Sequence, residues 1–322
     1  MPAHQPDSAS VHVDAYLTSH SIQYRQDMTA FAAPMVAPRI PVAKQSNKYP
    51  VFSKADFMRD EAKLRAGATE SAGSGYSLSS GTYFCDQYSV HKDVPADIKA
   101  NTDDPLSWRR NATQFVTQKL AIRHEKIFAA AAMATSIWET DVVGGSDFTV
   151  WSNTSTGTPI VDIETGKGVV QASTGRLPNT LVCGSYGVWK ALKSHPNMVD
   201  RYKHTTAESI TPEMVARVLE LDRVIVSLGV ENTAAEGAAS ASMASICGDN
   251  ALLCYVPPAP ALEEPSALYT YAWTGLKGSD SELTISEIDM PHLNGSTRIE
   301  GDLAVDVKVT GSDLGYFFSG AV

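Results

Sequence analysis

From Asp103-Asp104-Pro105 to Trp138 a single apolar stripe runs through Phe115, Val116, Leu120, Ile122, Ile127, Ala131, Ala134 and Trp138, recurring at about three and four residues. The acidic pair with proline in the first turn marks a helix start. At ~1.5 Å per residue, a helix over 103–138 is roughly 50 Å long, more than an ordinary globular domain uses. Everything else in the chain has to be arranged around so long a rod.

Upstream, residues 1–48 carry Phe31-Ala32-Ala33-Pro34-Met35-Val36-Ala37-Pro38-Arg39-Ile40-Pro41-Val42, preceded by a short amphipathic pattern over Val11 to Gln26. Prolines interleaved with apolar residues predict an extended arm rather than a helix. Such an arm cannot bury Phe31, Met35, Val36 and Ile40 against itself, so it lies on another surface, its own subunit's or a neighbour's. Residues 49–94 read as a long hairpin, with strand-like Tyr49 to Ser53 and Thr82 to Val90 around a charged, glycine-rich middle. A two-stranded excursion of that length is marginal alone and needs support from outside the subunit.

Beyond the rod, Trp138 to Gly175 is turn-rich, with Gly144-Gly145, Gly157, Pro159, Gly166 and Gly168 around short β-like pieces such as Phe148 to Trp151. Residues 176–268 alternate short apolar strands with helices at Tyr186 to Lys193 and Thr211 to Leu221, a compact α/β unit. Arg298 to Val309 alternates strictly at Leu303, Val305, Val307 and Val309, predicting a long strand with one buried face.

Composition narrows the function classes. The 322 residues are 43% hydrophobic, enough for a real core. There is no apolar run long enough to span a membrane and no basic-then-apolar start, so the expectation is a soluble, unsecreted protein with no membrane partner. Cys85, Cys183, Cys247 and Cys254 form no Cys-x-x-Cys pair and read as reduced, buried thiols. Three Asn-x-Ser/Thr sites, at Asn111, Asn153 and Asn294, matter only in a glycosylating secretory pathway. Residues 1–204 carry 21 Lys and Arg against 19 Asp and Glu, whereas residues 205–322 carry 5 against 17. An acidic chain of this kind is no sequence-specific nucleic-acid binder, although its charge favours solubility at high concentration.

The motifs of catalysis fail at identifiable positions. His124-Glu125 lacks the second histidine one turn later, because Phe128 stands there. Gly166-Lys167-Gly168 has Val161 where a phosphate loop needs its first glycine and Gly168 where it needs Ser or Thr, and is read as a surface turn. The eight histidines show no i, i+4 pair, and no Gly-x-Ser-x-Gly occurs. Neither a catalytic, a cofactor nor a metal site is expected. Arg109, Arg110, Lys119, Arg123 and Lys126 on the rod read as a solvated face or ion-pairing residues ahead of a DNA-facing stripe. Trp138, Trp151, Trp189 and Trp273 read as core or interface anchors.

One block is more telling than the motifs that fail. Pro178-Asn179-Thr180-Leu181-Val182-Cys183-Gly184 runs into Tyr186-Gly187-Val188-Trp189-Lys190-Ala191-Leu192-Lys193-Ser194-His195-Pro196. It is followed by Met198 to Lys203, Ile210-Thr211-Pro212-Glu213, Asp222 to Val226 with Asn232-Thr233-Ala234, Leu252 to Pro258, and Pro265 to Trp273. In this order the blocks resemble the major capsid proteins of tailed double-stranded DNA phages, which have the Hong Kong 97-type fold, over nearly the whole chain.

The resemblance implies an α+β fold: an N-terminal arm (1–48), an extended β-hairpin loop (49–94), a peripheral domain (95–175) with spine helix 103–138, an axial α/β domain (176–268) and a return to the peripheral domain with C-terminal β-strands (269–322). It implies self-association into hexamers and pentamers of an icosahedral shell around double-stranded DNA, in a virion assembled in the bacterial host cytoplasm. Implied partners are further copies, a separate scaffolding protein, a portal protein, a possible cement protein and the packaged DNA. The expected intersubunit contacts are Phe31, Met35 and Ile40 on the arm and Arg59, Asp60 and Arg65 on the loop. Some relatives crosslink a lysine of this loop to a neighbour's asparagine; Lys54 and Lys63 lie in the right region, but no acceptor is identifiable and noncovalent fastening is expected. A cellular nanocompartment shell shares the fold and is the alternative within it. A hydrolase using Cys183 or Ser185 with His195 is the alternative from another class.

Overall fold

The computed structural model describes residues 25–101, 107–202, 210–259, 264–276 and 283–322. The amphipathic pattern at 11–26 and the acidic helix start at 103–105 fall largely outside them. The rod is a 25-residue helix, Trp108–Ala132, about 37 Å long. The Ser107 side chain accepts from the Arg110 amide at its start. Ala112, Val116, Leu120, Phe128 and Ala132 are buried at multiples of four, a continuous inner face. The helix stops six residues short of Trp138. That indole folds back to donate to the Ala132 carbonyl at 2.8 Å, so it continues the apolar stripe in sequence while capping the helix in space.

The strands are β1 Arg39–Val42, β2 Ser46–Phe52, β3 Leu78–Phe84, β4 Asp86–Val94, β5 Thr140–Val143, β6 Thr180–Cys183, β7 Arg223–Val226, β8 Val230–Asn232, β9 Met243–Ser245, β10 Ala251–Cys254, β11 Leu268–Trp273, β12 Leu283–Met290, β13 Ser296–Val309 and β14 Gly315–Ser319. Among the described residues they form two five-stranded sheets and two ribbons. In the first sheet, β13 pairs with β4, β11 and β12, and β1 joins β11 in parallel. The long helix covers this sheet, packing Val116 and Leu120 against Ile299, Leu303 and Val305. Contact is so close at Gly301 that a Cβ there would lie 2.4 Å from a Val116 methyl and 2.8 Å from a Leu120 methyl. Covered on both faces, β13 is buried continuously from Gly301 to Val305 rather than on alternate residues.

The second sheet runs β5-β14-β10-β6-β7. Its central strands Thr180–Cys183 and Ala251–Cys254 are buried throughout. The last strand, Gly315–Ser319, was expected with the peripheral strands; it instead pairs with β10 here, burying Phe317 and Phe318. Helices Tyr186–Ser194 and Pro212–Val218 flank this sheet, capped by Ser185 and Thr211.

Two local expectations are corrected. Residues 159–174, read as turns from their glycines, form a helix that opens at Pro159 and ends at left-handed Gly175. Pro159, Ile163, Gly166, Lys167, Val170 and Thr174 face inward, and Gly166 lets the helix approach Tyr316 and Leu253. Gly166-Lys167-Gly168 is thus helix interior and no surface turn, with the Lys167 ammonium donating to the Leu219 carbonyl at 2.9 Å and to Glu164 at 3.0 Å. The arm is likewise not extended throughout. Ala33–Val36 makes a helical turn with Pro34 in its first positions, where proline is tolerated, before β1 begins.

Candidate assembly surfaces

The arm and the long hairpin are the parts that sequence marks as surplus to a single core. On the arm, Phe31 is buried inside its own subunit, its ring against Gly229, and Val36 packs with Phe128 and Ala132 at the end of the long helix. Expected as an intersubunit contact, Phe31 is an internal anchor. Met35 remains 36% exposed, and Ile40 is half-buried in β1, opposite Tyr271. The Gln26 side chain donates to the Val230 carbonyl at 2.7 Å and accepts from the Val230 amide at 2.9 Å.

The hairpin is the antiparallel ribbon β2–β3, with Tyr49 opposite Gly81. The Tyr49 ring lies across that glycine, where a Cβ would come within 2.3 Å of it. At the ribbon's root, Tyr83 stacks on Tyr271 at 4.5 Å, and Tyr49 stacks on the same ring at 5.5 Å. Asp306 accepts from the Phe84 amide at 2.9 Å; burial raises its carboxyl against that bond and the neighbouring Lys308.

The loop tip, residues 53–77, is held differently. Phe52, Phe57 and Tyr76 make a small aromatic cluster with ring centres 5.4–5.8 Å apart. Lys54, just past the far end of the ribbon, reaches Asp313 at 2.6 Å and ties the start of the loop to the subunit's own body. Beyond it Phe57, Met58, Leu64 and Tyr76 stand exposed together, Leu64 fully. The three predicted charged residues sit here with local partners. Arg59 meets Glu61 at 3.1 Å and Asp56 at 3.4 Å, Asp60 accepts from the Ala62 amide, and Arg65 donates to the Thr69 carbonyl at 2.6 Å. The structure therefore brings Arg59, Asp60 and Arg65 onto one loop, apart from the arm.

The rod's cations are engaged within the subunit: Arg109 with Glu287 and Lys126 with Glu231, each at 2.7 Å. Arg123 lies 4.2 Å over Tyr88, and Lys119 and Lys92 flank the Phe115 ring.

The residues of the hydrolase alternative are not assembled. Ser185 caps the helix Tyr186–Ser194 and donates to Asp249 at 2.7 Å, whereas His195 is buried at that helix's other end, roughly 13 Å along it. All four cysteines are buried and free; burial pushes Cys183 and Cys254 up to about 12 and Cys85 up to about 11. Among the described residues, no group of three or more His, Cys, Asp and Glu side chains is placed to hold a metal ion, and no helix is long and apolar enough to cross a membrane.

One residue that the sequence reading passed over is Glu125, fully buried on the inner face of the long helix. The signal was present: an acidic residue inside an apolar stripe, weighed only as part of a zinc motif.

No family profile matches the chain. It is 24% identical over 317 residues to the major capsid protein of Burkholderia phage BcepMu, covering 96% of each chain. Its structure is similar to that of a phage-related protein from Bordetella bronchiseptica RB50, with 25% identity, a TM-score of 0.70, and 96% and 97% of the two chains covered. It is also similar to the capsid of cyanophage P-SCSP1u, with 13% identity, a TM-score of 0.57, and 88% and 86% covered. The fold is the Hong Kong 97-type capsid fold, and along nearly its whole length the chain is similar in sequence to a phage major capsid protein.

Proposed function

We propose that this chain is the structural subunit of a phage head, whose activity is self-association into a closed shell. The observation that carries this reading is the loop 53–77, which presents exposed Phe57, Met58, Leu64 and Tyr76 beyond the far end of the two-stranded ribbon β2–β3. A capsid relative matched along the length of both chains supports it. Copies assemble as hexamers and pentamers, with the loop lying over an adjacent subunit and the sheet β5-β14-β10-β6-β7 forming the axial domain around the capsomer centre. The first sheet and the long helix form the peripheral domain. Arg59, Asp60 and Arg65 exchange their local partners for a neighbour's charges, while Met35 and Ile40 contribute the exposed side of the arm. A separate scaffolding protein guides closure in the host cytoplasm, a portal protein occupies one vertex, and double-stranded DNA fills the virion without sequence-specific contact. A cement protein, if there is one, adds to noncovalent fastening. No catalysis is assigned to the chain.

The test is light scattering on the wild-type chain and on Arg59→Glu/Arg65→Glu, each expressed alone and with a scaffolding protein. The wild type should give shell-sized particles, and the double variant a folded subunit, unchanged in circular dichroism, that stays unassembled. Wild-type assembly of the double variant would refute the role of these arginines. A wild-type chain that stays monomeric under both conditions would refute the function.

A further inference from the structure

A carboxylate with no exposed surface needs a reason to be where it is. Glu125 accepts four hydrogen bonds. Two come from backbone amides of the arm, Ala32 at 2.9 Å and Ala33 at 2.8 Å. Two come from the segment that follows β7 and leads to β10, from the Ser227 hydroxyl at 2.9 Å and the Cys247 thiol at 3.4 Å. Among the described residues no lysine or arginine pairs with it; the adjacent Lys126 is bonded to Glu231. A buried carboxylate held by neutral donors alone is tolerated only while those donors stay in place. Hydrophobic packing would join arm and helix without that condition, since Ala32, Ala33 and Val36 already bury against Phe128 and Ala132.

The neighbouring contacts bind the same two parts. Leu228 donates its amide to the Ala30 carbonyl at 2.8 Å, Gln26 clasps Val230, and the Phe31 ring covers Gly229. A cavity of about 360 Å³ opens beside these contacts, and Cys247 is one of its lining residues together with Met133, Asn250, Lys126 and Glu231.

We infer that Glu125 is a latch that couples the position of arm residues 26–37 to that of the axial segment 227–247. Its two oxygens are shared between arm amides and axial side chains, with Oε1 serving both parts. If the arm withdraws, the charge loses two donors and must draw water through the cavity, which loosens Ser227 and Cys247. If the axial segment shifts, the arm amides lose their acceptor. The arm is thus a sensor of the axial domain's position, and the reverse holds equally. This goes beyond the shell function and does not depend on it.

The test uses the full-length chain before assembly, comparing Glu125→Gln and Ser227→Ala with the wild type. Hydrogen exchange reads the Ala32 and Ala33 amides, and maleimide labelling reads each thiol. In the glutamine variant an amide group faces the donors, and both signals should rise together at least tenfold. Cys183 and Cys254, in the second sheet, should stay protected. Removal of the Ser227 hydroxyl, a lesion on the axial side alone, should raise the arm's exchange by a smaller factor. The inference is overturned if Glu125→Gln leaves both readouts unchanged, if the arm amides open while Cys247 stays protected, or if Cys183 and Cys254 label as fast as Cys247. Should the glutamine variant not fold, Ser227→Ala decides: unchanged exchange at Ala32 and Ala33 overturns the coupling.

Discussion

Burial governs the chemistry of the individual residues. The thiols of Cys183 and Cys254 lie inside the second sheet, where an anion has no solvation, and their titration moves from 9.0 up to about 12. Being raised in the folded state, they contribute stability that is fully present below the unfolded value and lost as pH climbs through the folded one. Stability should therefore hold to about pH 9 and decline between there and about pH 12. Urea unfolding at pH 8 and pH 10.5 measures it, and Cys183→Ala/Cys254→Ala should show a shallower decline. An equal decline in that variant would place the alkaline sensitivity elsewhere. Ser185 and His195, adjacent in sequence to the apolar block, are likewise held in separate structural positions. One is committed to a helix cap and an aspartate, the other is buried a helix length away.

Among the elements, the contact of the long helix with β13 is the most exacting. Gly301 leaves no room for a side chain beneath Val116 and Leu120, so Gly301→Val must push helix and strand apart. A loss of about 1–3 kcal/mol is expected, read from the denaturation midpoint. A variant as stable as the wild type would mean that the helix can shift without cost. The elements also show what sequence discloses. The ribbon, β13 and the existence of the long helix were legible, although of the stripe expected on the helix only Val116 and Leu120 lie buried on its inner face and Phe115 is exposed. The helix end was not, since Trp138 satisfies the apolar period from outside the helix. Helix Pro159–Thr174 was hidden because its glycines resemble turn residues, whereas Gly166 in fact lets the helix pack closely on the sheet. Glu125 was missed because its partners lie 92 to 122 residues away.

For the whole molecule, the pairing of distant segments decides the architecture, and pattern alone gives little of it. Strand β1 joins β11, and β14 lies between β5 and β10, so the first and last described strands belong to different sheets. Neither pairing can be read from local signals: the prolines of the arm say nothing of β11, and no pattern in Gly315–Ser319 points to β10. The ordered blocks from Pro178 to Trp273 made the overall fold legible, through resemblance rather than periodicity. The candidate surfaces were legible in part. Arg59, Asp60 and Arg65 lie on the loop with partners inside it, and their expected contacts with a neighbour remain a proposal, whereas Phe31, expected to reach another subunit, is buried against Gly229 of its own. On the proposed function, this subunit is completed by its neighbours. The most direct measurement is cryo-electron microscopy of the particles formed by the full-length chain with a scaffolding protein. The account predicts closed icosahedral shells in which the loop 53–77 of each subunit lies on an adjacent one, covering Phe57, Leu64 and Tyr76; subunits that remain single, or shells whose loops stay free in solvent, would contradict it.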